Sequence, residues 1–293
     1  MQPSSYLVAL TDQAGGRIDV HDLAQGALNE GSLVWSQSYG HKSVAGVKLR
    51  RYQGKRVLLA CFGKSFANMV EVDSHRVLWQ SQTTGINPHS VELIPVEGGR
   101  YLIAVAATVS ENVRFFDAAC PGAPSLGEVA AKDAHGVLFD PQEQVLWILG
   151  EDLLSKNRVS WSEGGVQVSC LAQYRAPTGN GHDLAPVYGN PHRLWVTTHP
   201  TVYQFDKRLG RFLTDYPAYP VLNSPGRNDQ VKGIGNFPDG TCVKIYPDGC
   251  LHPWTSATVY LIKPGPHGGW QRQSLSSPTE HYYKLRVFCS DYY

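Results

Sequence analysis

Three histidines carry the strongest chemical signal in this sequence. His89 stands in NPHSVELIP, His135 in DAHGVLFDP and His182 in NGHDLAPVYG, so that His135 follows His89 by 46 residues and His182 follows His135 by 47. Each opens an alternating apolar segment. Imidazole titrates near neutrality, so three of them at one place can serve as general acid and general base. They can also hold one divalent ion such as Zn, Mn or Ni with a fourth position left open for a water or a substrate. A third reading is structural: histidines that hydrogen-bond neighbouring sheets and fill the space between them.

The even spacing says what must position them, because self-similarity at a fixed period of this size marks a repeat architecture. After each histidine comes an apolar strand, a Pro/Gly/Asn turn, a second apolar strand and a polar tip. The same form appears at 45–63 with Ala45 in the histidine's place, and at 232–249 with Lys232 there. Third strands follow as RIDVHD, MVEVD, VRFFD and VYQFD, and fourth strands as LVWSQS, VLWQSQ, GEVAAK and SCLAQY. Four short strands per unit of roughly 45 residues is the pattern of a propeller blade. The chain begins with a second strand, YLVALTD, and ends with a first strand, YYKLRVF, so the C-terminal strand is expected to complete the first blade and remove its open edge. The expected fold is all-β: a six-bladed β-propeller forming a single domain over residues 1–293.

Within a blade the start of the first strand and the tip of the second meet at one end, because the two run antiparallel. The inner positions are then Tyr283 or Lys284, Ala45, His89, His135, His182 and Lys232, with Asp12, Lys64, Ser65, Thr108, Glu151, Asp152, His199 and Tyr246 at the tips. The catalytic candidates are His135, His182 and His89 for proton transfer, with Lys232 and Tyr283 polarising a carbonyl, carboxylate or phenol. Glu151, His199, Tyr246, Lys64 and His281 are candidates for substrate contact. A metal, if one is used, falls to His89, His135 and His182. Trp35, Trp79, Trp147 and Trp195 lie inside apolar strands and are assigned to packing between blades. His21, His75, His252 and His267 fall on outer strands or loops and are assigned to the surface.

Composition narrows the partners. The 293 residues hold 26 Lys+Arg against 25 Asp+Glu, a net charge of +1, with no like-charge run, which argues against nucleic acid. No apolar stretch reaches the 18 residues a membrane helix needs. The opening MQPSSYLVALTD has no charged and apolar leader pattern, so a cytoplasmic location is expected, with a leader already removed as the other possibility. No C-x-x-C, G-x-S-x-G, P-loop or H-E-x-x-H motif is present, which removes zinc ribbons, serine hydrolases of that kind, nucleotide-dependent enzymes and zincins. The six cysteines read as buried thiols; Cys242 and Cys250, flanking VKIYPDG, are the one pair placed to bridge a turn.

The segments HSVELIP, AHGVLFDP with LWILG, and GHDLAPVYG with LWVTT resemble an uncharacterised family of six-bladed propellers from bacteria and fungi, over most of the chain. That resemblance implies the fold and the histidine-opened strands, and no reaction. A looser, architectural likeness is to propeller lyases acting on uronic-acid polysaccharides and on streptogramin antibiotics, and to propellers of natural-product pathways that guide cyclisation. The expected function is therefore an enzyme acting on a small organic substrate, a natural-product intermediate or a sugar acid, by lyase, isomerase or cyclase chemistry. It would use no cofactor or one divalent metal. The alternative is a non-catalytic propeller binding a glycan or a protein, with the tyrosine-rich loop at 215–230 as its rim, or as a lid.

Overall fold

Each repeat folds as one four-stranded antiparallel sheet, because segments that alternate apolar and polar residues between Gly, Pro, Asn and Asp turns can bury one face only as strands. The computed structural model describes residues 5–40, 43–63, 66–81, 86–162, 164–224, 230–249, 251–266 and 268–292. Six such sheets make an all-β, six-bladed propeller fold. The first blade consists of Tyr282–Val287, Leu7–Asp12, Arg17–Asp22 and Leu33–Ser38, and the second of Val44–Tyr52, Lys55–Phe62, Ala67–Glu71 and Val77–Gln80. The third holds Pro88–Val96, Arg100–Ala107, Asn112–Asp117 and Gly127–Ala130; the fourth, Gly136–Asp140, Val145–Leu149, Leu153–Ser162 and Gly165–Arg175. The fifth runs Asp183–Pro186, Arg193–Thr197, Val202–Asp206 and Arg211–Leu213, and the sixth Gly233–Asn236, Cys242–Ile245, Thr258–Pro264 and Trp270–Ser276. Among the described residues no helix is long and apolar enough to cross a membrane.

The turns show why the repeat carries its signature residues. Gln53 and Gly54 both adopt positive φ (50° and 80°) between strands ending at Tyr52 and starting at Lys55, the two-residue hairpin geometry that matches strand twist. The aspartates that close third strands act through their carboxylates. Asp22 accepts from the Ala24 and Tyr6 amides, Asp117 from Ala119, and Asp206 from Arg208 and Leu209. These Asx bonds satisfy amides that leave the ladder, which is the reason the residue recurs there. At Asp206 burial opposes ionisation, yet the two amides and nearby arginines outweigh it and hold the carboxyl below its ordinary range.

The strands cluster into two compact units, one of residues 1–44 and 185–289, the other of 45–184 and 290–292. In the first, Tyr282–Val287 pairs antiparallel with Leu7–Asp12, setting Val287 opposite Val8 and Leu285 opposite Leu10. The C-terminal strand thus supplies the first strand of the first blade, as its sequence implies. Val8, Leu10, Tyr282, Leu285 and Val259 form one core cluster; Trp195, Tyr216, Leu222 and Val231 belong to a second. Trp195 is buried and donates its indole N–H to Asn236 Oδ1 at 2.9 Å, the partner a buried indole requires. The 215–230 loop buries Tyr216 and leaves Tyr219 half-buried, where a rim would present both. Tyr216 is buried and donates to the Val202 carbonyl at 2.6 Å, and a short α-helix, Tyr219–Leu222, packs Leu222 into the same cluster; residues 225–229 lie outside the described residues. Cys242 is a buried free thiol, pushed up to about 12 by burial; Cys250 lies outside the described residues.

The second unit is built around Leu102, Ala104, Phe115, Val137 and Leu146, with Trp79 and Trp147 fully buried. Its first strands also bury charge. Glu92, with no exposed surface, receives a two-pronged pair from Arg50 (2.8 and 2.9 Å) and lies 3.3 Å from Lys48 Nζ. Lys48 in addition donates to Ser90 Oγ at 3.2 Å and to the Val137 carbonyl, tying the first strands of the second, third and fourth blades together. Burial disfavours the Glu92 carboxylate, but Arg50 and Lys48 outweigh that and keep its carboxyl below the ordinary value. The guanidinium of Arg50 also lies 4.3 Å from the centroid of the Tyr292 ring, whose hydroxyl donates to the Leu93 carbonyl.

A candidate histidine site

The second unit brings the three repeat histidines together. The rings of His89 and His135 lie with centroids 4.6 Å apart at 59°, and those of His135 and His182 at 4.6 Å and 76°. His135 and His182 are each 7% exposed, and His89 is half-buried. The histidines sit at the entrance to the first strands of the third, fourth and fifth blades, and in the third blade the ladder shifts register between Pro88 and Ser90, at His89.

One backbone device repeats beneath all three. Two residues before each histidine stands an Asn or Asp with a left-handed backbone: Asn87 (φ 51°), Asp133 (φ 48°) and Asn180 (φ 58°). Asn and Asp tolerate that region better than other residues with a side chain. The turn it makes brings the carbonyl of residue i−2 back to the imidazole. His89 Nδ1 lies 3.0 Å from the Asn87 carbonyl oxygen and His135 Nδ1 2.9 Å from that of Asp133. A carbonyl only accepts, so Nδ1 is the protonated nitrogen in both rings and Nε2 carries the lone pair. Asn-Pro-His, Asp-Ala-His and Asn-Gly-His therefore share the left-handed first residue, and the first two share the carbonyl contact to Nδ1. Sequence reasoning fixed on the histidine and passed over the first residue, although the Asx-X-His spacing was there to find.

Second-strand tips return to this end as antiparallel pairing requires. Thr108 donates to the Asn87 carbonyl at 3.1 Å and its Oγ1 is 3.5 Å from His89 Nδ1. Glu151 is different: its backbone joins this end, but its carboxylate turns to Lys132 at 2.6 Å, which raises the lysine above its ordinary value, mainly through that hydrogen bond. Both line a separate cavity of about 450 Å³ with Asp152, Ser155, Asn157 and Arg175. Asp133 Oδ1 lies 3.4 Å from His135 Nδ1 and becomes an ion-pair partner when that ring is protonated.

Close backbone approach ties together Lys132, Gly150, Glu151 and Gly181 within the second unit. The Glu151 amide donates to the Lys132 carbonyl, and the Gly181 amide to the Glu151 carbonyl at 2.6 Å. A Cβ on Gly150 would run into the Lys132 carbonyl oxygen, and one on Gly181 into that of Gly150. Because both obstacles are backbone, Gly150→Ala is expected to lower stability by about 1–3 kcal/mol, the range for forced overpacking. Chemical denaturation measures this; an unchanged midpoint would contradict the close approach.

The remaining candidates lie in the first unit or outside the described residues. Lys232 and Tyr283 are brought to each other, both buried, with Nζ 5.6 Å from the ring centroid. Tyr246 stacks on Tyr260 (4.7 Å, 6°) and accepts from Arg272 at 2.6 Å; burial, then the Tyr246 contact, pushes the Tyr260 hydroxyl up to about 12. His281 donates its amide to Asp12 Oδ1 and its carbonyl accepts from the Gln13 amide; His199 is half-buried, its carbonyl accepting from the Gln230 amide. Lys64 falls outside the described residues. Among the described residues no set of three or more His, Cys, Asp or Glu side chains is arranged to hold a metal ion. His21, expected at the surface, is buried at 2% exposure, because the segment between the third and fourth strands folds over it.

No family model matches the chain, and no curated protein matches it in sequence. Among solved structures, it is similar to the crystal structure of a functionally unknown protein from Desulfotomaculum acetoxidans DSM 771, with a TM-score of 0.57 and 11% identity, covering 93% of this chain and 80% of that one. At that identity the likeness is one of fold, and what it supports is the six-bladed β-propeller architecture.

Proposed function

We propose that this protein is an enzyme that moves a proton on one small organic molecule bound at the histidine triplet, in an elimination, isomerisation or cyclisation. The observation that carries the reading is the packing of three imidazoles at 4.6 Å, two of them with the proton fixed on Nδ1 and the lone pair on Nε2. Such a ring is set to accept a proton at Nε2. Once it does, the neighbouring imidazoles disfavour a second positive charge, so the cluster takes up one proton at a time and passes it on. The candidate substrates are a sugar acid or an enolisable natural-product intermediate. The chemistry as proposed needs no cofactor; the variant is one divalent ion on His89, His135 and His182. The substrate is a small molecule of the cytoplasm, with no nucleic acid or membrane as partner.

The test combines metal content with ligand binding. Protein purified without chelator is compared with His89→Ala/His135→Ala for bound Zn, Mn and Ni, and both are screened for thermal shifts against a panel of sugar acids and unsaturated or hydroxylated carboxylic acids. Acids that stabilise and are turned over only by the wild type support the proposal, with stoichiometric metal selecting its metal-assisted form. Equal shifts and equal turnover in the double variant would sink it. A second reading, a non-catalytic propeller binding a glycan, rests on Trp254, which is 44% exposed and stacks on His252 at 5.0 Å. It predicts saccharide binding lost in Trp254→Ala and kept in the histidine variant.

A further inference from the structure

A second, unrelated constellation lies in the first unit, on the strand Arg17–Asp22. Side chains two apart on a strand share a face, so Arg17, Asp19 and His21 point the same way. The carboxylates around them are already partnered within the protein. Asp19 accepts from Arg17 Nε at 2.7 Å and from Ser36, which stands opposite it in the ladder. Glu280 accepts from Arg17 Nη2 at 2.7 Å, from the Tyr282 hydroxyl at 3.0 Å and from Ser277.

His21 is not saturated, and its tautomer follows from its one partner. Ser32 Oγ donates to the Asn29 carbonyl at 3.0 Å and accepts from the Asn29 amide at 3.1 Å. Its single proton is thereby committed, so the 2.9 Å contact with His21 is a donation from Nδ1–H into Ser32 Oγ. Nε2 is then an unprotonated acceptor. It is buried and has no hydrogen-bond partner among the described residues. Burial lowers the pKa of this ring, so it is neutral at physiological pH. Buried polar atoms are normally satisfied, and an orphan acceptor in the wall of a cavity points to a ligand that satisfies it.

Such a cavity is present. His21 lines a space of about 420 Å³ together with Arg17, Glu30, Leu28, Ser36 and Glu280, within the size range of small-molecule sites. Its charged wall residues are one arginine against two glutamates, with Asp19 beneath, so its field favours a cation. We propose that this cavity binds a small organic ammonium ion, which donates an N–H to His21 Nε2 and lies against Glu280 and Glu30. This site is independent of the histidine triplet, and the fate of either proposal leaves the other standing.

The experiment is an NMR titration of the full chain with 1,4-diaminobutane, followed at the His21 imidazole nitrogens, with 1,4-butanediol as the uncharged control. A saturable shift of the Nε2 resonance below about 10 mM is expected with the diamine and not with the diol. His21→Phe should abolish binding. Because that variant also strips Ser32 of a donor, Glu30→Gln, at an exposed position, is the second arm and should weaken binding at least about tenfold by removing one charge. No saturation by the diamine, an equal response to the diol, or full affinity in Glu30→Gln would each overturn the proposal.

Discussion

Glu92→Leu is expected to cost about 3–5 kcal/mol of stability, the range for breaking a buried ion pair by removing one partner. The substitution is close to neutral in shape. What it removes is the carboxylate that pairs with two cations that are 4% and 3% exposed. Such a loss is a large part of the total stability of an ordinary domain. The triple variant Lys48→Met/Arg50→Met/Glu92→Leu removes the charges together and should recover most of it, because an apolar replacement of a whole buried network avoids the desolvation cost. Some deficit remains in the triple variant, since Arg50 also lies over the Tyr292 ring. Chemical denaturation at neutral pH reads both. A single variant no less stable than the triple would show that Glu92 is not compensating charge.

The same network predicts an acid limb. The Glu92 carboxyl lies below its ordinary value in the folded protein, because Arg50 and Lys48 overcome the opposing effect of burial. A depressed folded pKa means that the stabilisation is fully present above the unfolded value, about 4.3, and is lost as pH falls through the folded value. The limb should be present in the wild type and missing its Glu92 part in the triple variant.

What could be read from the sequence divides along a physical line. Period, strand count and ring closure follow from alternation and turn residues, which are local, and YYKLRVF was legible as a first strand because it matches the first strands of the other repeats. The convergence of His89, His135 and His182 was legible for the same reason, since equal positions in equal repeats meet at one end. What escaped were features set by long-range partners. Lys48 and Arg50 alternate in VKLRRY as if exposed, and it is the neighbouring first strand, carrying Glu92, that supplies a counter-charge for their burial. The same K-L-R recurs at Lys284 and Arg286, also buried. His21 sits on a third strand, where exposure is the usual outcome, and is covered by a turn whose cap, Asn29, is eight residues further on. Tyr216 sits in a loop and still finds the core through one hydroxyl hydrogen bond.

On a substrate turned over through the proposed proton transfer, His135→Gln is expected to lower kcat by about 10²–10⁴-fold, the usual worth of a positioned general base. His135 is the middle ring of the three, in contact with both others, so it is the one through which a proton must pass if the cluster shares it. Glutamine retains a polar side chain of similar reach but has no basic nitrogen, so KM should move far less than kcat. A role confined to packing predicts the reverse pattern, with stability falling and the remaining folded enzyme keeping its kcat. Asp133→Asn separates the two further. It leaves the Asp133 carbonyl that fixes the tautomer, and it removes the carboxylate 3.4 Å from Nδ1 that steadies the protonated ring. A favourable charge lost beside the ring that takes up the proton should lower kcat with the fold unchanged. If His135→Gln kept kcat within about threefold while Asp133→Asn left kcat unchanged, the triplet would not be the proton-transfer site, because both the base and its electrostatic partner would have been removed without consequence.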